Sequence, residues 1–270
     1  MQDINAYDKI ITKLRTFFKA KGFVEVPAQS RLSILAACED PKTIAEFEFD
    51  GVNYPLPQTG QMWLEIELLK NSSTKGVFCV TTSYRNEPNP IKGRHDKIFP
   101  MFEFESKGNI EDLKRIESEL LDYLGFEIPT TIDYGQLCEE YNVDVLEAEH
   151  EDQMCKNHGN SISLEKFPLR THPFWNMKHC GNKVFNKVDV ILYGMETIGS
   201  AERSCNAEEM KENFMNISGG QYAQLLFDKF GKERVMKELD EYLKLKMFNR
   251  FGGGIGITRL ERAMKLARVL

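Results

Sequence analysis

Nowhere in the 270 residues is there a run of about 18 apolar side chains, the length a helix needs to cross a bilayer. The opening Met1-Gln2-Asp3 also lacks the basic and apolar order of a secretory signal. The sequence therefore predicts a soluble, cytoplasmic protein with no membrane partner. Six cysteines (Cys38, Cys79, Cys138, Cys155, Cys180 and Cys205) include no C-x-x-C pair. A chain this long needs no disulfides to hold a core, so reduced thiols are expected. A basic excess is missing too: 35 Lys and Arg stand against 41 Asp and Glu, a net charge of −6, which argues against a broad nucleic-acid footprint. No internal repeat, low-complexity tract or change of composition divides the chain. One domain over residues 1–270 is expected.

What is present is a succession of helical and extended patterns. Ile10, Ile11, Leu14, Phe17 and Phe18 repeat with a helical period over 6–20, and Lys21-Gly22 ends that helix before a short strand at 23–26. A hairpin about Asp50-Gly51 is predicted over 46–54, a helix over 61–69, strands over 77–84 and 98–105, and a helix over 110–124. Residues 130–176 are weakly patterned, with short helices near 136–141 and 146–157 and an extended stretch up to Pro173-Phe174-Trp175. A strand pair over 184–193 and 195–198 turns at Gly194, helices follow at 207–215, 221–230 and 232–246, and a last helix starts close to Ile257. Strands that follow one another without intervening helices predict an α+β fold, an antiparallel sheet flanked by helices.

Two arginines close apolar stretches, Arg85 after 77–84 and Arg259 after 251–257. An unpaired guanidinium in such a setting is costly, so a polyanion is the natural partner. The run Gly252-Gly253-Gly254-Ile255-Gly256 is not a dinucleotide fingerprint, because position 257 is Ile and no βαβ unit follows; Gly231-Lys232-Glu233 is not a P-loop, because it lacks the Ser or Thr for magnesium. What remains is a backbone that approaches a ligand or a packed helix closely, then a helix with Arg259 in its first turn, where dipole and guanidinium both favour phosphate. Standing alone, the run would serve equally well as a C-terminal hairpin with a surface arginine.

The chemistry-bearing residues form longer motifs. Arg85-x-Glu87, a loop with Arg94-His95, then Phe99 and Glu103-x-Glu105 resembles the second signature motif of class II aminoacyl-tRNA synthetases. Gly254-Ile255-Gly256-Ile257-x-Arg259-Leu260-Glu261-Arg262 resembles their third. The likeness covers nearly the whole chain and is to the asparaginyl- and aspartyl-tRNA synthetases and their relative, the archaeal-type asparagine synthetase. It implies a homodimeric, AMP-forming ligase that takes ATP, Mg²⁺ and an amino acid. Arg85 would hold the α-phosphate, Glu87 the adenine amino group and Phe99 the ring. Arg94 or His95 would reach the β- and γ-phosphates, as would Arg259 from the other side. Asp189 and Glu196, seven apart across the predicted turn, match the family's magnesium acids, and hard carboxylate oxygens suit that ion. Arg203 matches the arginine that grips the amino acid's side-chain oxygen, and Gln61 and Glu103 fall to the amino-acid pocket. Each could be ordinary if met singly: Phe99 as core, His95 as a solvated loop residue, Arg85 as a partner of Glu103 or Glu105.

Substrate choice turns on Gln61-Met62-Trp63-Leu64. Aspartate-using relatives carry lysine where this chain has Leu64, so a neutral amide is favoured over a second carboxylate. The first expectation is activation of asparagine, or a close analogue, as an aminoacyl-adenylate with transfer to an unidentified acceptor. An asparagine synthetase using aspartate, ATP and ammonia is the alternative, and a non-catalytic paralogue with a binding role is another. The likeness also has departures: the proline due seven residues after Gly22 is Gln29, and Ile98 stands where glutamate is usual. The chain starts directly on the catalytic core, so no anticodon-binding domain is expected. Contact with tRNA would have to come from a face carrying Lys229, Lys232, Arg234, Lys237, Lys244 and Lys246, where Glu233, Glu238 and Glu241 interleave and an ordinary solvated helix is the simpler reading.

Overall fold

The computed structural model describes residues 3–29, 31–35, 41–91, 93, 96–171, 173–181 and 183–270. Its first element, α1 (Ile4–Ala20), starts where the Asp3 carboxylate accepts the backbone N–H groups of Asn5 and Ala6, a cap that satisfies two orphan donors. Gly22, at φ +85°, turns the chain into β1 (Phe23–Glu25). The hairpin β2 (Glu46–Phe49) and β3 (Val52–Pro55) folds about Asp50 and Gly51, both at positive φ, as its Asp-Gly signal predicts. There follow α2 (Gln61–Lys70), β4 (Gly76–Tyr84), β5 (Ile98–Lys107) and α3 (Ile110–Leu124). An Asn109–Asp112 capping box opens α3 and Gly125, left-handed, closes it.

The weakly patterned middle resolves into β6 (Thr130–Asp133), α4 (Tyr134–Tyr141), α5 (Ala148–His158) and β7 (Ser161–Pro168). β6 was not foreseen: its four residues carry no apolar alternation and are fixed by parallel pairing with β7. Then come β8 (Val184–Leu192), β9 (Met195–Arg203), α6 (Ala207–Asn216), α7 (Gln221–Phe230), α8 (Lys232–Leu243), β10 (Arg250–Gly256) and α9 (Ile257–Ala267). β9 runs five residues past its predicted end because Gly199, Ser200 and Ala201 blur the pattern while the ladder to β10 continues. α8 stops at Leu243, short of the predicted 246, to release the chain into β10.

Among the described residues the main sheet has eight strands in the order β1-β4-β5-β10-β9-β8-β7-β6. Only the two outermost pairs, β1 with β4 and β6 with β7, are parallel. The expected α+β antiparallel sheet flanked by helices is what forms. Strand alternation then divides the sheet into two unlike faces. Phe78, Phe102, Phe104, Val188, Val190, Ile198, Phe251 and Ile255 point to one face and pack under α1, α3 and α9. Phe18 sits at its centre, with ring centroids of Phe23, Phe102 and Phe104 within 4.9–5.2 Å. The neighbouring positions, among them Glu103, Glu105, Asp189 and Arg203, necessarily face the other way.

That second face is braced by a buried charge network. Glu65 of α2, wholly inaccessible, accepts from Arg250 (3.0 and 2.9 Å), Tyr242 Oη (2.6 Å), Gln61 Nε2 (2.9 Å) and Asn176 Nδ2 (2.7 Å). Arg203 lies 3.6 Å from Glu65 and donates to Glu105 at 2.6 and 3.2 Å. Burial alone pushes the Glu65 carboxyl up, but Arg250 and Arg203 outweigh it and hold it below its ordinary value. Glu65→Ala leaves two buried guanidinium groups short of charge and should cost about 3–5 kcal/mol, read as a lower urea midpoint with unchanged slope.

A second buried carboxylate has no such company. Glu117 of α3 faces the sheet with neither oxygen hydrogen-bonded among the described residues, while its neighbour Ser200 donates instead to Val188 O (3.1 Å). Burial, opposed by the nearby Ser200 hydroxyl and reinforced by Asp189 and Glu165, pushes its pKa up to about 8 from 4.5. The folded state thus keeps a proton that the unfolded chain loses. The stability from this neutral carboxyl is complete below pH 4.5 and is lost as pH climbs through about 8. Glu117→Gln should match the parent near pH 4.5 and melt on the order of 5 °C higher at pH 9, measured by thermal denaturation across that range.

Candidate active site

The polar face of the sheet is the wall of a cavity of about 300 Å³, lined by Gln61, Arg85, Glu87, Phe99, Glu103, Glu196, Arg203 and Arg259 among others. Eight of the residues singled out from sequence therefore meet in one place although they come from α2, the β4–β5 segment, β9 and α9. Asp189 stands just behind, in an adjoining cavity of about 410 Å³ that shares Lys187 and Glu196 with the first. Arg94 and His95 lie outside the described residues.

At one end, Arg85 leaves β4 where its backbone N–H bonds Lys97 O (2.7 Å), closing the loop that joins β4 to β5. Its guanidinium carbon lies 5.3 Å from the Phe99 ring centroid, and its Nε is buried without a hydrogen-bond partner among the described residues. It has not paired with Glu103 or Glu105. A stacked, half-buried guanidinium with an unspent donor suits an anion that also presents a flat face.

At the other end, α9 begins at Gly256, whose extended backbone offers no side-chain cap, so the helix N-terminus opens on the cavity between Gly256, Thr258 and Arg259. Arg259 Nη1 donates to Glu196 O at 2.8 Å and lies 3.8 Å from that residue's carboxylate. Between the two ends runs β10, whose glycines are required by contact. A Cβ on Gly252 would fall 2.1 Å from the Glu105 carboxylate and 2.4 Å from Phe104 O, and one on Gly253 would fall 2.7 Å from Ser200 Cβ. The run is thus a central strand, not a mobile hairpin.

The floor is acidic. Glu103 accepts from the Thr59 hydroxyl and from Gly60 N (2.8 Å), and burial pushes its pKa up to about 7 against the pull of those bonds and of Arg85. Burial likewise pushes Glu105 up to about 7, with Arg203 opposing. Gln61 gives its amide nitrogen to Glu65, which leaves the amide oxygen as the group it can offer a ligand. Leu64, fully buried, also lines the cavity.

Asp189 and Glu196 face each other across the β8–β9 hairpin, which turns on Tyr193 and Gly194, both at positive φ, as predicted. A Cβ built on Gly199 would sit 2.9 Å from Glu196 Oε1 and 3.7 Å from Asp189 Oδ1, so both carboxylates converge over that glycine. Asp189 Oδ1 is buried and has no hydrogen-bond partner among the described residues, while Oδ2 takes the Lys187 ammonium at 2.6 Å. Burial raises the Asp189 pKa to about 7, Lys187 lowering it and Glu196 raising it further. Two hard carboxylates with one orphaned oxygen fit Mg²⁺. No group of three or more His, Cys, Asp or Glu is placed to hold a metal among the described residues, so an ion on this pair would need ligands from phosphate or water.

Sequence reading missed Lys187, whose only signal was its position two residues before Asp189 on the same strand face. It also gave no role to Glu105, which holds Arg203. Two basic residues of α7 and α8 are spent locally: Lys229 pairs with Glu46, and Arg234 donates to Glu238, Asn53 O and Arg31 O. No helix among the described residues is long and apolar enough to cross a membrane.

Comparison with solved structures finds this fold in asparaginyl-tRNA synthetase from Pyrococcus horikoshii complexed with asparaginyl-adenylate, at a TM-score of 0.81 and 17% identity over 98% of this chain. The asparaginyl-tRNA synthetase of Entamoeba histolytica, also with asparaginyl-adenylate, gives 0.75 and 18%, and a putative aspartyl-tRNA synthetase from Leishmania major Friedlin gives 0.77 and 15%. The chain spans 66% of the first of these proteins and 63% of the other two. Comparison with curated proteins finds no match. Residues 1–268 match the family described as tRNA synthetases class II (D, K and N). Its motifs, its sheet and that match agree: this chain belongs to the class II tRNA synthetases of the D, K and N family.

Proposed function

We propose that this protein joins asparagine, or a close amide analogue, to ATP as an aminoacyl-adenylate, releasing pyrophosphate. The substrate carboxylate attacks the α-phosphorus and the bond to the β-phosphate oxygen breaks. The acyl group then passes to an acceptor nucleophile. The observation that carries this reading is the pairing of the unspent Arg85 donor at one end of the cavity with Arg259 and the open helix N-terminus at the other.

Each side chain has a task in that step. Arg85 steadies the charge that builds on the α-phosphate, a term worth about 3–4 kcal/mol for a single well-aimed donor. Phe99 stacks on the adenine, and Glu87 accepts from its amino group. Arg259 holds the γ-phosphate, its guanidinium steadied by the backbone of Glu196. Glu196 and Asp189 would hold Mg²⁺, which when bound supplies positive charge to the phosphate oxygens.

The charges of the floor support an amide over aspartate. Glu103 and Glu105 line the cavity beside Arg203, and acids there suit a substrate with an ammonium and no second carboxylate. Glu103 receives the ammonium, Arg203 the side-chain oxygen, and the Gln61 oxygen the side-chain amide nitrogen. Leu64 supports the same choice, since it brings no cation. The presence of asparaginyl-adenylate in two proteins of like fold supports it further. We also infer a homodimer formed along β1, a three-residue edge strand whose Val24 is 51% exposed.

ATP–pyrophosphate exchange measured across the amino acids is the test. Asparagine should support it, and Arg85→Ala should lower kcat by about 10²–10³-fold with the fold intact by circular dichroism. Free asparagine formed from aspartate and ammonium would replace this reading with a synthetase of asparagine itself. Absence of exchange with every amino acid, in folded protein, would remove it.

A further inference from the structure

Glu196 and Arg203 can share a face only because β9 is irregular. Strand alternation sends residues an odd number of positions apart to opposite faces, and these two are seven apart on one strand. Both nevertheless line the same cavity. The ladder between β8 and β9 shows how: Asp189 pairs with Gly199 and Val190 with Ile198, whereas Ile191 pairs with Glu196 and Leu192 with Met195. Thr197 is the extra residue of a β-bulge, and it returns Glu196 to the polar face.

The same residues have an unbroken alternative. A three-residue loop, Tyr193-Gly194-Met195, would carry the ladder of Val190 and Ile198 on to Leu192 opposite Glu196, and the carboxylate would then enter the hydrocarbon face with Leu192. The observed two-residue turn avoids this but needs Tyr193 at φ +50°, where a residue with a side chain is strained. That turn is held from both sides. Arg262 of α9 donates through Nη1 to Tyr193 O at 2.9 Å, and Arg259, one turn earlier, donates to Glu196 O. From α5, Cys155 Sγ accepts the Gly194 N–H at 2.9 Å and the Glu151 carboxylate accepts the Glu196 N–H at 2.7 Å. A Cβ on Gly194 would lie 3.2 Å from Asp152 Cα, so α5 also closes on the turn by contact.

Arg262 itself lines neither the 300 Å³ cavity nor the 410 Å³ cavity behind it. We propose that Arg262 is a positioning residue for the acid pair: through Tyr193 O it fixes the two-residue turn, and with it the Thr197 bulge that keeps Glu196 beside Asp189 and on the face of Arg203. The inference rests on the reading of that pair as the magnesium site of an ATP cavity. Releasing Tyr193 O lets the hairpin occupy the unbroken register part of the time, and Asp189 then loses its companion. The amino-acid pocket does not follow, since Arg203 is set by Glu105 and by the ladder of β9 with β10. An arginine that merely added stability would change the melting temperature and leave the magnesium dependence of nucleotide binding as it was.

Isothermal titration of ATP, in Mg²⁺ and in EDTA, into wild type, Arg262→Met and Arg262→Lys measures this. Arg262→Met should weaken ATP binding about tenfold in Mg²⁺, the scale on which loss of a group that orients a metal ligand acts, and leave binding in EDTA unchanged. Arg262→Lys, which keeps a donor, should recover most of the loss. In pyrophosphate exchange the Mg²⁺ concentration for half-maximal rate should rise by a like factor in Arg262→Met, while KM for asparagine stays at the wild-type value. Circular dichroism separates lost binding from lost fold, and Arg262→Gln, polar but shorter, gives the same reading where the methionine variant does not fold. Equal affinities of wild type and the folded variant in Mg²⁺, or a loss as large in EDTA or in KM for asparagine, would overturn the role of Arg262 and leave the ATP site standing. Failure of wild type to bind ATP in Mg²⁺ would overturn both.

Discussion

Two arginines and two glutamates share a volume from which water is excluded, and most of the molecule is arranged around that fact. Arg250, Glu65, Arg203 and Glu105 come from β10, α2, β9 and β5, and all are 2% exposed or less. No member can be lost singly without leaving another charge uncompensated, since the desolvation cost of each is met only by its partners. The network therefore fixes how α2 sits on the sheet and how β9 and β10 lie beside β5. Tyr242 draws α8 into the same arrangement through its bonds with Glu65 and Arg250. What looks like the floor of a binding site is also the joint of the fold.

This double role explains the division of the sheet. The face packed under α1, α3 and α9 is a hydrocarbon layer into which buried acids are set, Glu165 paired with Lys114, Glu202 accepting from Ile110 N, and Glu117. The opposite face collects charge in zones: acids with their arginines in the middle, Arg85 at one end, Arg259 and the helix N-terminus at the other. Period-two alternation along β5, β8, β9 and β10 produces both faces from one set of strands. A ligand negative at its phosphates and positive at its ammonium finds the complementary sign at each station.

Much of this was readable before the fold was seen, and the reasons are local. The helix over 110–124 has a strong 3.6-residue period with a capping box, and the Asp50-Gly51 and Gly194 turns carry their own conformational demands. The arginine motifs were legible because an apolar run ending in a guanidinium asks for an anion. What escaped were relations between distant positions. Glu65 and Arg250 are 185 positions apart, and nothing near either announces a buried ion pair. Strand β6 has no apolar face of its own and exists by pairing with β7. Lys187 reads as one of many solvated lysines until Phe167 and Asp189 are brought around it.

The bare backbone of β10 also sets where the site can change over generations. A methyl group at Gly252 would strike the carboxylate that holds Arg203 and the backbone of Phe104, and one at Gly253 would strike Ser200 and the backbone of Gly199, so these positions offer no side chain that drift could enlarge, shorten or recharge. Variation that altered the choice of amino acid would have to enter through α2, β5 and β9, where Leu64, Met101 and Thr197 border the same space. The glycine strand is the fixed gauge against which those positions are free to vary, and a lineage could change its substrate without touching this strand.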